Sequence, residues 1–450
     1  MGLNVPALLY CIGEAALFGL TLAPIALHNV LVENNAFGAW CEPGQTLPCH
    51  NQEVAVSQAN QFVSIVGQFA GITIAKLVSV MGHSAVAYGL IATFAVGLAI
   101  CGVDLWNGWS FVLGMGMANA AGGGMVNFNF GFILPVATFN ASATDVRFWN
   151  LNINTMIDVG YILAMPLAIL LAWSTVAPQW VWFIVSGAGI AVVFMAWYRI
   201  SVEPMLDEAA LATAQGTDTR TLLPATHFLL SADFWIATAE FHWSLIFFTS
   251  LEASSARIAP FFGLERNIAF WVPLAVGASS SLILVWAQLP WGTRHVPGGI
   301  LRLALLVVFA VLYAVPSLRT PTTFFGGIMA ASIWRSSALS TAMHLNYVIG
   351  YGGNESKTAA LMIGIGAVIC LAVGQAVTYW AASSSGALTA CVLVSLVGGV
   401  LTEVMTINAL NRLNPDGDTA SHSSHSSGHC DYVSAEPSPH GSADEGTPLV

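Results

Sequence analysis

The chain has 450 residues, of which 56% are hydrophobic and 8% charged, with a formal net charge of −11. Soluble domains carry about 25% charged residues, so this composition excludes a water-soluble globular protein and fits a polytopic membrane protein. Its twelve basic residues are spread along the whole length, which excludes a nucleic-acid-binding surface.

Twelve apolar runs come close to the ~20 residues needed to cross a bilayer core: 7–31, 57–79, 83–103, 109–136, 149–172, 178–199, 229–250, 268–290, 299–318, 322–349, 357–381 and 386–409. The fourth and tenth are long enough to tilt or break. These runs define an all-α membrane protein, divided into a first six-helix bundle over 1–200, a connecting loop over 201–228, a second bundle over 229–410 and a tail over 411–450.

The first run lacks the basic n-region of a cleavable signal peptide and continues through Glu14 to His28 at spanning length. After it comes the one sizeable outer loop, where Cys41 and Cys49 lie in a compartment that allows a disulfide to persist. Run two carries Gln68. In run four, Gly114, Ala118 and Gly122 repeat at a spacing that lets helix backbones approach. The triplet Gly122-Gly123-Gly124 serves either close packing or flexibility, and Asn127 and Asn129 follow it. Run five places Asn150, Asn154 and Asp158 on one helical face, with Tyr161 one turn on.

The connection Ser201 to Phe228 mixes charge, Pro and Gly, and 204–214 is predicted to form a short surface helix. Run seven carries Glu240 and His242, run eleven Gln375, and run twelve Glu403 near its end. The tail, rich in Ser, His, Gly, Pro and acidic residues, cannot bury a core. Its His422, His425, His429 and Cys430 reflect that composition rather than a metal site. Asn140 and Asn354 match glycosylation sequons on the inner side, where they would not be used.

Run ten holds the sharpest anomaly. Arg335 lies in the middle of Thr322 to Val348, otherwise apolar or small apart from His344 and Asn346. Arginine stays protonated, and a charge at bilayer depth costs ~3 kcal/mol or more. Such a residue faces inward, locked in an internal ion pair or waiting for a charged substrate. Glu240 is at mid-span too and is a possible partner; Asp158 is also near mid-depth. A substrate carboxylate at Arg335 would exploit the two-pronged guanidinium, with Asp158 or Asn154 meeting an amino group. Glu240 and Asp158 are also candidates for carrying a proton.

With both termini cytoplasmic, the inner loops and span ends collect Lys76, Arg147, Arg199, Arg220, Arg294, Arg302, Lys357 and Arg412. The outer side keeps only Arg257, Arg266 and Arg319, a positive-inside bias. No phosphate-cradling loop, zinc spacing or nucleophile elbow is present, so neither an enzyme nor a cofactor is expected.

Six runs, a polar connection and six more is the layout of the major facilitator superfamily, in which each half contains inverted three-helix repeats. Two stretches are similar to one family within it, solute carrier family forty-three, the sodium-independent large neutral amino acid transporters, with their protozoan relatives. One is Val30 to Cys41 and on through Cys49-His-Asn-Gln52; the other is Trp334-Arg-Ser-Ser-Ala-Leu-Ser340. The chain departs from the superfamily between runs two and three. A Gly-x-x-x-Asp-Arg-x-Gly-Arg pattern is usual there, whereas Ala75 to His83 keeps only Gly82. The family's Phe-Pro pair after run ten is replaced by Tyr351-Gly-Gly-Asn.

The resemblance implies alternating access around a central cavity lined by runs one, four, seven and ten, which carry Glu14, Asn127, Glu240 and Arg335. The expected function is transport of a small organic solute, most plausibly a neutral amino acid. A sugar or drug carrier and a non-transporting receptor are the alternatives. The expected setting is the plasma or endolysosomal membrane, as a monomer partnered by lipid and a small-molecule substrate.

Overall fold

A computed structural model describes residues 3–22, 24–33, 35–103, 108–138, 148–149, 152–160, 162–164, 179–214, 224–288, 295–350 and 355–413. Asn150, Tyr161, the sequon asparagines Asn140 and Asn354 and the His-rich tail lie outside the described residues. Helix falls in each of the twelve apolar runs. Seven of the described helices are long and apolar enough to cross a membrane.

The first half begins with α1 (Val5–Leu22), which gives way to a 3₁₀ turn at Pro24–Leu27. The second run is α2 (His50–Val66), a 3₁₀ turn at Gly67–Phe69, and α3 (Ala70–Met81). Next come α4 (His83–Val103) and α5 (Gly108–Phe128), then helical residues 152–160 and 162–164, and α7 (Gln179–Trp197), counting the 152–160 helix as α6. Two π turns interrupt these helices, Asn129–Ile133 and Tyr198–Val202. Each is followed within two residues by a proline, Pro135 or Pro204, whose missing N–H breaks the regular ladder. The expected surface helix is α8 (Glu203–Ala214); Met205 and Leu206 are buried against the first bundle.

The second half contains α9 (Ala232–Ala253), α10 (Val272–Gln288), α11 (His295–Ala314), α12 (Pro321–Gly350), α13 (Glu355–Ala381) and α14 (Ser385–Leu413). The tenth run, α12, is one unbroken helix of 30 residues.

Each half packs mainly on itself. In the first, α4 lies against α5 and α7, and α1 against α5; in the second, α9 contacts α12, α13 and α14, and α11 contacts α12 and α14. The halves meet where α13 runs along α2 and α3, and where the segment 152–164 reaches α10 and α12.

Glycine sets two of the closest approaches. A Cβ on Gly123 would lie 2.0 Å from the Gly67 carbonyl oxygen, so the glycine triplet is a packing contact within a continuous helix. A Cβ on Gly19 would lie 1.8 Å from the Ile157 carbonyl oxygen. That contact presses α6 onto α1 and fixes the register of Asp158, one residue further on.

The loop between α1 and α2 is pinned by polar contacts. Cys41 and Cys49 form a disulfide. Cys49 Sγ caps α2 by accepting from the Gln52 backbone N–H at 3.4 Å. The Gln52 side chain donates to the carbonyls of Val32 (3.2 Å) and Ala36 (2.9 Å). This loop marks what we call the disulfide end of the molecule; α9 also finishes there, since Arg266, in the segment after it, pairs with Glu53 at the start of α2.

Candidate functional site

On α12, Trp334 and Arg335 point about 100° apart, as neighbours on an α-helix must. Trp334 is buried in the second bundle near Leu306 and Gly399. That orientation turns Arg335 away from its own bundle's interior and toward the first half. Arg335 is 4% exposed, and one of its terminal nitrogens makes an ion pair with Asp158 Oδ1 of α6. Ser336 completes the contact: its hydroxyl donates to Asp158 Oδ2 at 2.8 Å and accepts from Arg335 at 3.3 Å. The ring of Phe248, on α9, lies 4.3 Å from the guanidinium carbon, a cation–π contact.

One helical turn past Phe248 stands Glu252, buried, with Oε1 accepting no hydrogen bond from a described residue. Arg335 and Asp158 are its charged neighbours. The expected end of run seven at residue 250 concealed this residue, because α9 continues to Ala253. A longer window over Phe247 to Ala253 would have found it.

The pairing of Arg335 with Glu240 is corrected. Glu240 lies two turns before Phe248, about 12 Å along α9 from the level of Arg335. It sits beside Glu403 and Thr402, next to the pair formed by Arg302 and Glu403. That second pair also revises the reading of Arg302 and Glu403 as span-end residues. Glu403 is fully buried, and Arg302 is bonded to it by Nε at 2.9 and 2.8 Å and by Nη2 at 2.5 Å. The apolar runs hid it because α11 starts at His295, four residues before the expected boundary, and so carries Arg302 inside.

The other candidates do not gather around Arg335. Glu14 accepts from the Tyr10 hydroxyl at 2.5 Å inside the first bundle, where Tyr10 packs on Phe194, Trp197 and Tyr198. Asn127 is half-buried, and its amide donates to the Gly123 carbonyl at 2.7 Å in its own helix. Asn154 is half-buried one turn before Asp158 on the same face of α6. His242 is held by the Met362 carbonyl (2.9 Å) and Cys370 Sγ (3.1 Å), a structural arrangement.

Of the expected site residues, then, the structure brings together Arg335 and Asp158, keeps Asn154 one turn from Asp158, and leaves Glu14, Asn127 and Glu240 bonded or packed within their own halves. No group of three or more metal-binding side chains occurs among the described residues.

Two bundles of six runs, joined by a polar connection and touching through a buried ion pair, define an all-α membrane protein of the major facilitator fold. Among solved structures the chain is similar to the crystal structure of the human organic anion transporter MFSD10 (TETRAN), with a TM-score of 0.62 and 14% identity over 90% of this chain and 100% of that one. The likeness is one of fold. No family model and no curated protein matches the sequence.

Proposed function

We propose that the protein is a secondary transporter that moves a carboxylate-bearing small solute, a neutral amino acid, by alternating access. The observation that carries this reading is the buried Arg335–Asp158 pair, one residue from each half of the molecule. If the halves rock apart around this point, the pair must open, and a buried charge left alone is strongly disfavoured. An amino acid supplies both replacements at once: its carboxylate takes the guanidinium fork of Arg335 and its ammonium takes Asp158.

The resemblance around Trp334–Ser340 supports this choice of substrate, and the solved neighbour's transport of organic anions agrees with a cationic centre. Both termini face the cytoplasm in this reading, by the distribution of basic residues.

The test is uptake by proteoliposomes holding the purified full-length chain, screened with labelled neutral amino acids, sugars and simple carboxylates. We expect saturable uptake of at least one neutral amino acid. Arg335→Lys, which keeps the charge but loses the fork, should abolish it while the protein stays monodisperse. Sugar-only uptake, no flux at all, or full activity in Arg335→Lys would overturn the proposal.

A further inference from the structure

Three ionisable groups meet where the halves join: Arg335, Asp158 and Glu252, each about nineteen-twentieths buried. Phe248 and Glu252 are four residues apart on α9, so one helical face presents an aromatic ring to the guanidinium and a carboxyl group beside it. Glu252 also lines a small, partly open cavity of about 10 Å³, shared with Leu251, Ser255, Phe309, Tyr313, Phe324 and Ile328 among others. That is room for about one water molecule and far too little for an organic solute. Two polar atoms of this apolar wall, Glu252 Oε1 and Ser255 Oγ, have no hydrogen-bond partner among the described residues.

Charge balance decides what the cluster holds. One guanidinium matches one carboxylate, and Asp158 already has it, together with the Ser336 hydroxyl. An ionised Glu252 would have to share Arg335 with Asp158, leaving one buried negative charge in excess and no hydrogen bond at Oε1 among the described residues, an arrangement proteins avoid. The charged groups facing Glu252 are Arg335 on α12 and Asp158 on α6. Tyr313 on α11 also borders the cavity, but its hydroxyl donates to the Phe324 carbonyl at 2.8 Å.

We infer that Glu252 is a proton-binding site coupled to the join between the halves: it carries one exchangeable proton while Arg335 is held by Asp158, and takes Arg335 from Asp158 when that proton leaves. The step balances. The Glu252 O–H bond breaks, the proton passes to solvent at the disulfide end, and the new carboxylate replaces Asp158 as counter-ion to Arg335. Asp158 keeps the Ser336 hydroxyl and becomes available to a cationic group. This rests on the reading of the Arg335–Asp158 pair as the point that must open during transport. It converts that opening from a solute-driven event to one that a proton gradient can also drive.

The test needs no substrate and so stands or falls apart from the transport assay. Infrared spectra of the purified full-length protein report the carbonyl stretch of a neutral carboxylic acid. Glu14 and Glu240 are buried carboxyls too, so the Glu252 band is the component missing in Glu252→Gln; we expect that component at neutral pH and its disappearance as the pH is raised. The band should also be lost at neutral pH in Asp158→Asn, where Arg335 is left with Glu252 as its counter-ion. This second variant keeps the test decisive should Glu252→Gln fail to fold. A spectrum unchanged in Asp158→Asn, or a wild-type band indifferent to pH, would overturn the inference. A band that responds to sodium instead of pH would overturn it in favour of a metal cation.

Discussion

Two buried arginines in the same half of the molecule meet opposite fates. Arg302, on α11, is bonded through two nitrogens to Glu403, on α14 of its own bundle, with Glu240 close by. Arg335, on α12, reaches across to Asp158 of the other bundle through one nitrogen, supported by Ser336 and the ring of Phe248. Both are nearly inaccessible to solvent. The first pair moves as a unit with its bundle, so no rigid-body motion of the halves disturbs it. The second is strained by any motion that separates them. In the transport reading proposed above, what distinguishes a structural charge from a working one is therefore the identity of the helix that carries the partner, since burial and chemistry are alike.

The largest expected effect comes from cutting the static pair. Arg302→Gln or Glu403→Gln leaves one buried charge uncompensated, which costs ~3–5 kcal/mol. Thermal unfolding followed by size-exclusion chromatography should show a marked loss of folded protein in either variant. Near-normal unfolding temperatures would contradict the close three-bond geometry.

Removing both partners separates stability from mechanism. Replacing a buried ion pair by apolar residues of similar volume is often neutral or stabilising. Arg302→Met with Glu403→Leu should accordingly restore the unfolding temperature and keep uptake. Arg335→Met with Asp158→Leu should also restore folding but leave no uptake, since the solute then finds neither charge. If the two double variants behave alike in transport, the distinction between the pairs collapses.

Much of this was legible in the sequence, and the limits are instructive. The apolar runs marked all twelve segments, and Arg335 stood out because charge at depth is rare. Its partner was not legible, because mid-depth residues on different helices are told apart only by helix rotation and register. Glu240 and Asp158 look equivalent on a hydropathy plot, yet the close contact of Gly19 with Ile157 sets α6 so that Asp158 faces Arg335. Helix boundaries hid the rest. Glu252 and Arg302 lie within a turn or so of the expected run ends, and small extensions of α9 and α11 bring both inside. The eroded loop between runs two and three shows a similar substitution of partners. There, His83 bonds to the Tyr198 hydroxyl (3.0 Å) and to Asp207 on α8 (3.1 Å), so contacts within the first bundle and to the connecting helix occupy the place of the missing arginines.

The smallest expected effect repeats the comparison at the surface. Arg266 pairs with Glu53 across the two halves at the disulfide end, and Arg412 pairs with Asp233 within the second half. Both arginines are more than half exposed, 54% and 62%; the Arg412 pair, with Asp233 partly exposed, contributes ~0–1 kcal/mol, and Glu53, though buried, keeps the charge of Arg257 nearby when Arg266 is removed. Neither Arg266→Ala nor Arg412→Ala should move the unfolding temperature by much. Their effects on conformation should differ, however, because only the first contact opens when the halves part at that end. Losing 0.5–1 kcal/mol from one of two conformers shifts their ratio about two- to fivefold. Spin labels placed at the disulfide end, one on each half, would read that shift as a larger fraction of long distances in Arg266→Ala and none in Arg412→Ala. Equal distance distributions in the two variants would mean that contacts between the halves do not set the balance, and that the distinction drawn for the buried pairs stops at the protein interior.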